Sequence, residues 1–173
     1  MKSVAFLLFL SFGLLPAAEP VTRTFFVKGM ECGSCVYMVQ QSVTATPGVS
    51  DANVVQLLDS YANVSYDPKV LSEHQVAQAV REATALHGTP YLATLKVRVP
   101  EFSRHAAKIE AAFTKWKDAV WVDVLDRDQG QLEIHFHELK PGPKKAGATG
   151  WSLTLLEEAL KGIGATCTLV TEG

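Results

Sequence analysis

Residues 25–35 read FFVKGMECGSC, and residues 95–105 read LKVRVPEFSRH. A shift of 70 positions lays Phe25 on Leu95, Val27 on Val97 and Glu31 on Glu101. The same shift lays YANVSYD (61–67) on QLEIHFH (131–137), so that Ala62, Val64 and Tyr66 meet Leu132, Ile134 and Phe136. A further 10 residues, mostly within 138–150, come before LSEHQVAQAV (71–80) meets WSLTLLEEAL (151–160). Identities are few, but the apolar positions coincide. The chain therefore holds two copies of one unit.

Each copy reads strand, helix, strand, strand, helix, strand. Thr22–Gly29 alternates as a strand with Phe25 and Val27 on one face. Cys35–Ala45 carries Val36, Val39 and Val43 at helical spacing, and Pro47-Gly48 ends it. Ser50–Leu57 and Ala62–Tyr66 are strands around Asp59-Ser60. Ser72 caps a helix expected to reach Leu86, with Glu73 in its first turn. The second copy has helices at 103–115 and 152–161 and strands at 120–125, 131–137 and 165–170. This βαββαβ order predicts an α+β chain of two tandem ferredoxin-like units, each an antiparallel sheet with two helices on one face. YLATLKVRV (91–99) joins the copies without a Pro/Gly/Ser linker, which predicts one long shared strand or a very tight junction. Phe26 is expected to point away from its own core, toward the other half.

Residues 1–18 read as a separate segment. Lys2 precedes an apolar run from Val4 to Leu15, and Pro16-Ala17-Ala18 follows. This is the pattern of a secretory signal peptide, too short to span a bilayer. The domain plan is thus a signal peptide at 1–18, one unit at 19–92 and a second at 93–173. The mature chain is expected to be exported, to the bacterial periplasm, and not to span the membrane. With 47% apolar and 20% charged residues the composition is globular, and a net charge of −2 gives no basic surface for nucleic acid. Three cysteines are too few for a disulfide scaffold. There is no Gly-rich phosphate loop and no Ser/His/Asp or paired-carboxylate arrangement, so the chain does not read as an enzyme.

Cys32 and Cys35 can be metal ligands, a redox couple or a disulfide. Gly29-Met30-Glu31-Cys32-Gly33-Ser34-Cys35 resembles the Gly-Met-x-Cys-x-x-Cys loop of the heavy-metal-associated domain family, and the helix CVYMVQQSV, the PGV turn and VSYDP also fit. The resemblance covers about residues 21–94. The family includes copper chaperones, soluble domains of metal-pumping ATPases and an exported mercury-binding protein. It implies that Cys32 and Cys35 hold a heavy-metal ion and that Met30 packs beneath the loop. Thiolates are soft ligands, which suits Cu(I) or Hg(II), with Zn(II) and Cd(II) behind. Glu31 stands where some zinc- and cadmium-pumping relatives have an Asp, so it is an additional candidate ligand. Cys35 is expected at the helix start, where the dipole favours a thiolate. In the facing loop, His87-Gly88-Thr89-Pro90, Thr89 occupies the place where the family often has Tyr. His87 reads first as a surface histidine, with a place near the site as the second reading.

The second copy lacks the thiolate pair. Phe102 stands for Cys32, His105 for Cys35 and Pro100 for Met30. It reads as a degenerate structural or partner-binding unit. His135 and His137 alternate on the strand face opposite Leu132, Ile134 and Phe136, where metal binding and a plain polar face fit equally. Cys167 reads as a buried core thiol, and Trp116, Trp121 and Trp151 as packing residues, with a partner surface as the second reading of Trp121. The expected function is an exported soft-metal-ion carrier, chaperone or scavenger that passes its ion by ligand exchange. A membrane metal transporter or another metal-binding protein is the expected partner. Two alternatives stand beside it. One is a periplasmic thiol–disulfide oxidoreductase, for which GTPYL (88–92) is similar to the Thr-Pro loop of thioredoxin-like proteins. The other is an interaction module with an inert disulfide.

Overall fold

The computed structural model describes residues 19–140 and 147–171, so the expected leader at 1–18 lies outside the described residues. The first copy runs β1 (Val21–Lys28), α1 (Gly33–Thr44), β2 (Val49–Val55), β3 (Tyr61–Tyr66), α2 (Glu73–Glu82) and β4 (Leu92–Arg98). The chain continues through α3 (Phe102–Lys115), β5 (Val120–Asp126), β6 (Gln131–Phe136), α4 (Leu153–Lys161) and β7 (Thr168–Leu169). The two units share one strand. Thr94 of β4 lies opposite Phe26 of β1 on one edge and opposite His135 of β6 on the other. Farther along the β1 edge, Val97 pairs with Leu169 of β7. β4 is therefore the last strand of the first unit and the first strand of the second. The sheet runs β2-β3-β1-β4-β6-β5, with β7 beside β4. Read by unit, β2-β3-β1-β4 and β5-β6-β4-β7 are one ferredoxin-like order used twice. The 92/93 boundary drawn from the sequence falls inside β4.

Strand alternation sends Phe25, Val27, Leu95, Val97, Leu132 and Ile134 to one face, into a single core beneath the helices. Phe25, Leu95 and Ile134 have no exposed surface, and each such burial contributes about 1.5–3 kcal/mol. Phe26 points to the opposite face, as expected, where the Lys96 ammonium sits 3.9 Å above its ring. α2 opens with a reciprocal cap: the Ser72 hydroxyl accepts from the Gln75 N–H at 3.2 Å, and Gln75 Oε1 accepts from the Ser72 N–H at 3.0 Å. It stops at Glu82, short of Leu86, because Ala83 turns extended and sends the chain toward the β1–α1 loop. β7 is only two residues long, against the six expected at 165–170. β1 already occupies the edge of β4 as far as Thr94, leaving Val97 and Arg98 for β7.

Glu73 is not the exposed first-turn acid that its position suggests. It is 4% exposed, and its Oε2 accepts the Leu153 N–H at 3.0 Å. Leu153 opens α4, so a carboxylate from the first unit caps a helix of the second, where an unpaired donor and the dipole both favour negative charge. Arg23 Nε lies 3.6 Å from the other oxygen and balances the buried charge. His74 beside it is also buried, with Nε2 donating to the His137 carbonyl at 2.9 Å and Nδ1 accepting from the Trp151 N–H at 3.3 Å.

Candidate metal centre

The loop between β1 and α1 is shaped by three residues. Gly29 adopts φ +93, a left-handed conformation that side chains rarely tolerate, and turns the chain out of the strand. Met30 folds back into the core at 8% exposure, and its carbonyl accepts from the Gln56 amide at 3.3 Å. Cys32 is the extended N-cap of α1 (φ −151, ψ 163), and its carbonyl accepts the Cys35 N–H at 2.9 Å.

This geometry brings the two sulfurs within 3.1 Å. Cys35 is fully buried, whereas Cys32 is half-buried. Cys32 is the helix cap and Cys35 the third residue of α1, so Cys35 lies in the first turn as expected and Cys32 joins it at the helix start. The Cys35 side chain and backbone N–H both hydrogen-bond the Cys32 sulfur and hold its pKa below the ordinary thiol value, which favours the thiolate, the form that binds metal. From the α2–β4 loop, His87 Nε2 comes to 3.5 Å from Cys32 Sγ. Ligand atoms of Cys32, Cys35 and His87 all lie within 4.8 Å of one another. His87 is thus both exposed, as its surface reading has it, and within reach of the thiol pair. Glu31 is exposed, and its carboxylate does not join this cluster.

Tyr91 closes the site from beneath. It is 1% exposed, accepts the Leu86 N–H at 3.3 Å and lies beside the Cys35 thiol. Burial, and then the hydrogen bond with Cys35, push its phenol pKa up, so it stays neutral. Thr89 stands where the family often has Tyr in the facing loop. The phenol instead comes from Tyr91, whose position at the strand start was the one available signal.

The heavy-metal-associated domain family matches residues 24–85. An uncharacterized protein of Haemophilus influenzae is 32% identical over 62 residues, which are 36% of this chain and 88% of that protein. The chain belongs to the heavy-metal-associated domain family. Copper-transporting ATPase 2 of Rhizobium meliloti is 46% identical over 51 residues, 30% of this chain and 6% of the ATPase. Copper-transporting ATPase RAN1 of Arabidopsis thaliana is 37% identical over 117 residues, 65% of this chain and 12% of the ATPase. The chain thus spans only a small part of these transporters. Among solved structures, the water-soluble region of the P-type ATPase CopA from Bacillus subtilis aligns with 90% of this chain and 98% of that one, at 22% identity and a TM-score of 0.40.

Outside the heavy-metal-associated domain, the structure sorts the remaining candidates. Phe102 is 1% exposed and plugs the place corresponding to Cys32, with the Arg127 guanidinium 5.5 Å above its ring. His105 is half-buried on α3 and joins no ligand cluster among the described residues. Cys167 is half-buried rather than buried, because β7 ends the sheet at an open edge. The desolvation it does undergo pushes its thiol up to about 11. Trp151 is a core residue and Trp116 packs against the core. Trp121 is 41% exposed and stacks on His135. Among the described residues, no helix is long and apolar enough to cross a membrane.

Proposed function

We propose that this chain binds one soft metal ion between the Cys32 and Cys35 sulfurs and hands it to a partner by thiol exchange, as a carrier, chaperone or scavenger rather than an enzyme. The observation that carries the reading is the sulfur pair at 3.1 Å with His87 Nε2 at 3.5 Å. Metal–sulfur bonds of about 2.3 Å set two thiolates about 3.8 Å apart at a tetrahedral angle and about 4.6 Å apart when linear, so the pair has to open to take an ion. Cys32 supplies that movement, being half-buried at a helix cap, while Cys35 is held in the core against Tyr91. Incoming thiols therefore reach the ion on the Cys32 side. The exchange passes through a three-sulfur state, and Cys32 leaves first.

Cu(I) is the favoured ion, because the pair is soft and the relatives are named as copper-transporting ATPases. Hg(II) shares the chemistry, and a His87 ligand would shift the balance toward Zn(II) or Cd(II). The leader-like residues 1–18 support export to the periplasm, with a membrane transporter or another thiolate carrier as the partner. Anaerobic titration of the reduced chain should give one Cu(I) per chain, with Hg(II), Zn(II) and Cd(II) as competitors. Cys32→Ser/Cys35→Ser should abolish that binding, and equal Cu(I) binding by this variant would overturn the reading. An insulin-reduction assay separates the oxidoreductase alternative, which requires turnover dependent on both cysteines. The inert-disulfide alternative requires thiols that stay oxidised under mild reductant.

A further inference from the structure

The open face of the second unit carries a second convergence of ligand atoms. His135 on β6 lies flat against Trp121 of β5, with ring centroids 4.7 Å apart and planes 7° apart, so its ring orientation is set. Its Nε2 is 3.0 Å from Asp123 Oδ2 and 3.6 Å from Glu133 Oε2. That nitrogen is buried, yet makes no well-directed hydrogen bond to either carboxylate. Tetrahedral coordination with bonds of about 2.0–2.2 Å sets ligand atoms about 3.3–3.6 Å apart, and the observed spacings bracket that range. Glu133 is positioned independently: it is 6% exposed, and its Oε1 accepts from the Thr94 hydroxyl at 2.8 Å, while Oε2 faces His135 and accepts from Lys28 Nζ at 3.3 Å.

We propose that Asp123, Glu133 and His135 form a second metal site, for a borderline divalent cation such as Zn(II) or Co(II), separate in place and chemistry from the thiolate pair. One imidazole nitrogen and two carboxylate oxygens suit such ions and are too hard for Cu(I) or Hg(II). Asp123, with 60% of its side chain exposed, leaves the outer side open to water as a further ligand. The Lys28 ammonium, 3.1 Å from Glu133 Oε1 and donating to Oε2 at 3.3 Å, is the competitor for this place. Its side chain is 57% exposed and free to swing into solvent, so cation binding exchanges one counter-charge for another. His137, the other histidine of the alternating pair, tilts on Trp121 without joining the three ligand atoms.

The test uses the full chain carrying Cys32→Ser/Cys35→Ser, so that it stands or falls independently of the thiolate reading. Calorimetric titration with Zn(II) should show one saturable site, and Co(II) should give visible absorption bands without sulfur charge transfer. His135→Gln and Asp123→Asn should each weaken Zn(II) at least about tenfold, and Thr94→Val should do so by about tenfold through the loosened Glu133 carboxylate. His137→Gln should leave affinity unchanged. Asp123 is exposed, so its variant tests the site without disturbing the core. An Asp–Glu–His–Lys ion-pair network with no saturable Zn(II) binding would overturn the proposal. So would Zn(II) binding that survives His135→Gln or that disappears with His137→Gln.

Discussion

The two β–α loops of this molecule sit at equivalent places in equivalent units, yet they do opposite things with the space. In the first, Gly29 turns the chain, Met30 plugs the core, and Cys32 is left half-buried above a fully buried Cys35. In the second, Glu101 itself takes the left-handed conformation at φ 57, and Phe102 fills the core at 1% exposure. Gly130 packs against this plug so closely that a Cβ there would lie 2.0 Å from the Val99 carbonyl oxygen. One loop sets its apolar anchor, Met30, two positions earlier than the place Phe102 takes, and so frees two thiols to face a ligand. The other puts the anchor at the ligand position and gains packing. Binding and packing compete for one position in this fold, and the duplication lets each copy take one of them.

The sharpest way to break this contrast is Phe102→Ala. Emptying a filled core position costs about 3–5 kcal/mol, so the urea midpoint should fall steeply while Cu(I) stoichiometry stays at the wild-type value. Loss of Cu(I) binding in a folded Phe102→Ala protein would show that the second loop is not merely structural. Next in size is Glu73→Gln, which removes the charged cap that the first unit supplies to α4. A loss of about 1.5–3 kcal/mol is expected. All three tryptophans lie in the second unit. Their emission should therefore report this first-unit substitution, in a single transition with far-UV dichroism. Two separated transitions would mean that the units unfold independently despite sharing β4.

A smaller effect is expected from acid. Burial, as the main cause, holds the His74 pKa below its ordinary 6.5, so the folded protein keeps this imidazole neutral. Unfolding lets it take up a proton at mildly acid pH. Its contribution to stability is therefore complete above about pH 6.5 and is lost as pH falls below that value. Denaturation midpoints compared between pH 8 and pH 5 should show the decline, and His74→Gln should flatten it. Glu133 acts in the same direction at lower pH. Burial pushes its pKa up, but the Thr94 hydroxyl and Lys28 outweigh this and hold it below 4.5. The smallest expected change is His87→Ala, which should weaken Cu(I) by less than about tenfold and Zn(II) by more, since imidazole suits zinc better than a two-thiolate copper site does. Equal losses for both ions would remove His87 from any role in choosing between them.

Much of this could be read from the chain in linear order. Alternation at Phe25 and Val27, and again at Leu132, Ile134 and Phe136, places the strands. The shift of 70 reveals the duplication, and the missing linker in YLATLKVRV foretells a shared strand. Cys32 and Cys35 are legible because a three-residue spacing at the start of a helix is a local property. Contacts spanning long stretches of chain carry no such mark. His87 reaches Cys32 across 55 positions, and Glu73 reaches Leu153 across 80. Their partners were set by how α2 packs between the units, which no periodicity records. For the same reason Asp123 meets His135 only through the register of β5 on β6. Hydrophobic pattern is a property of neighbours along the chain, and it specified the two units. The convergence of polar side chains depends on register and packing, which exist only once those units have folded around β4.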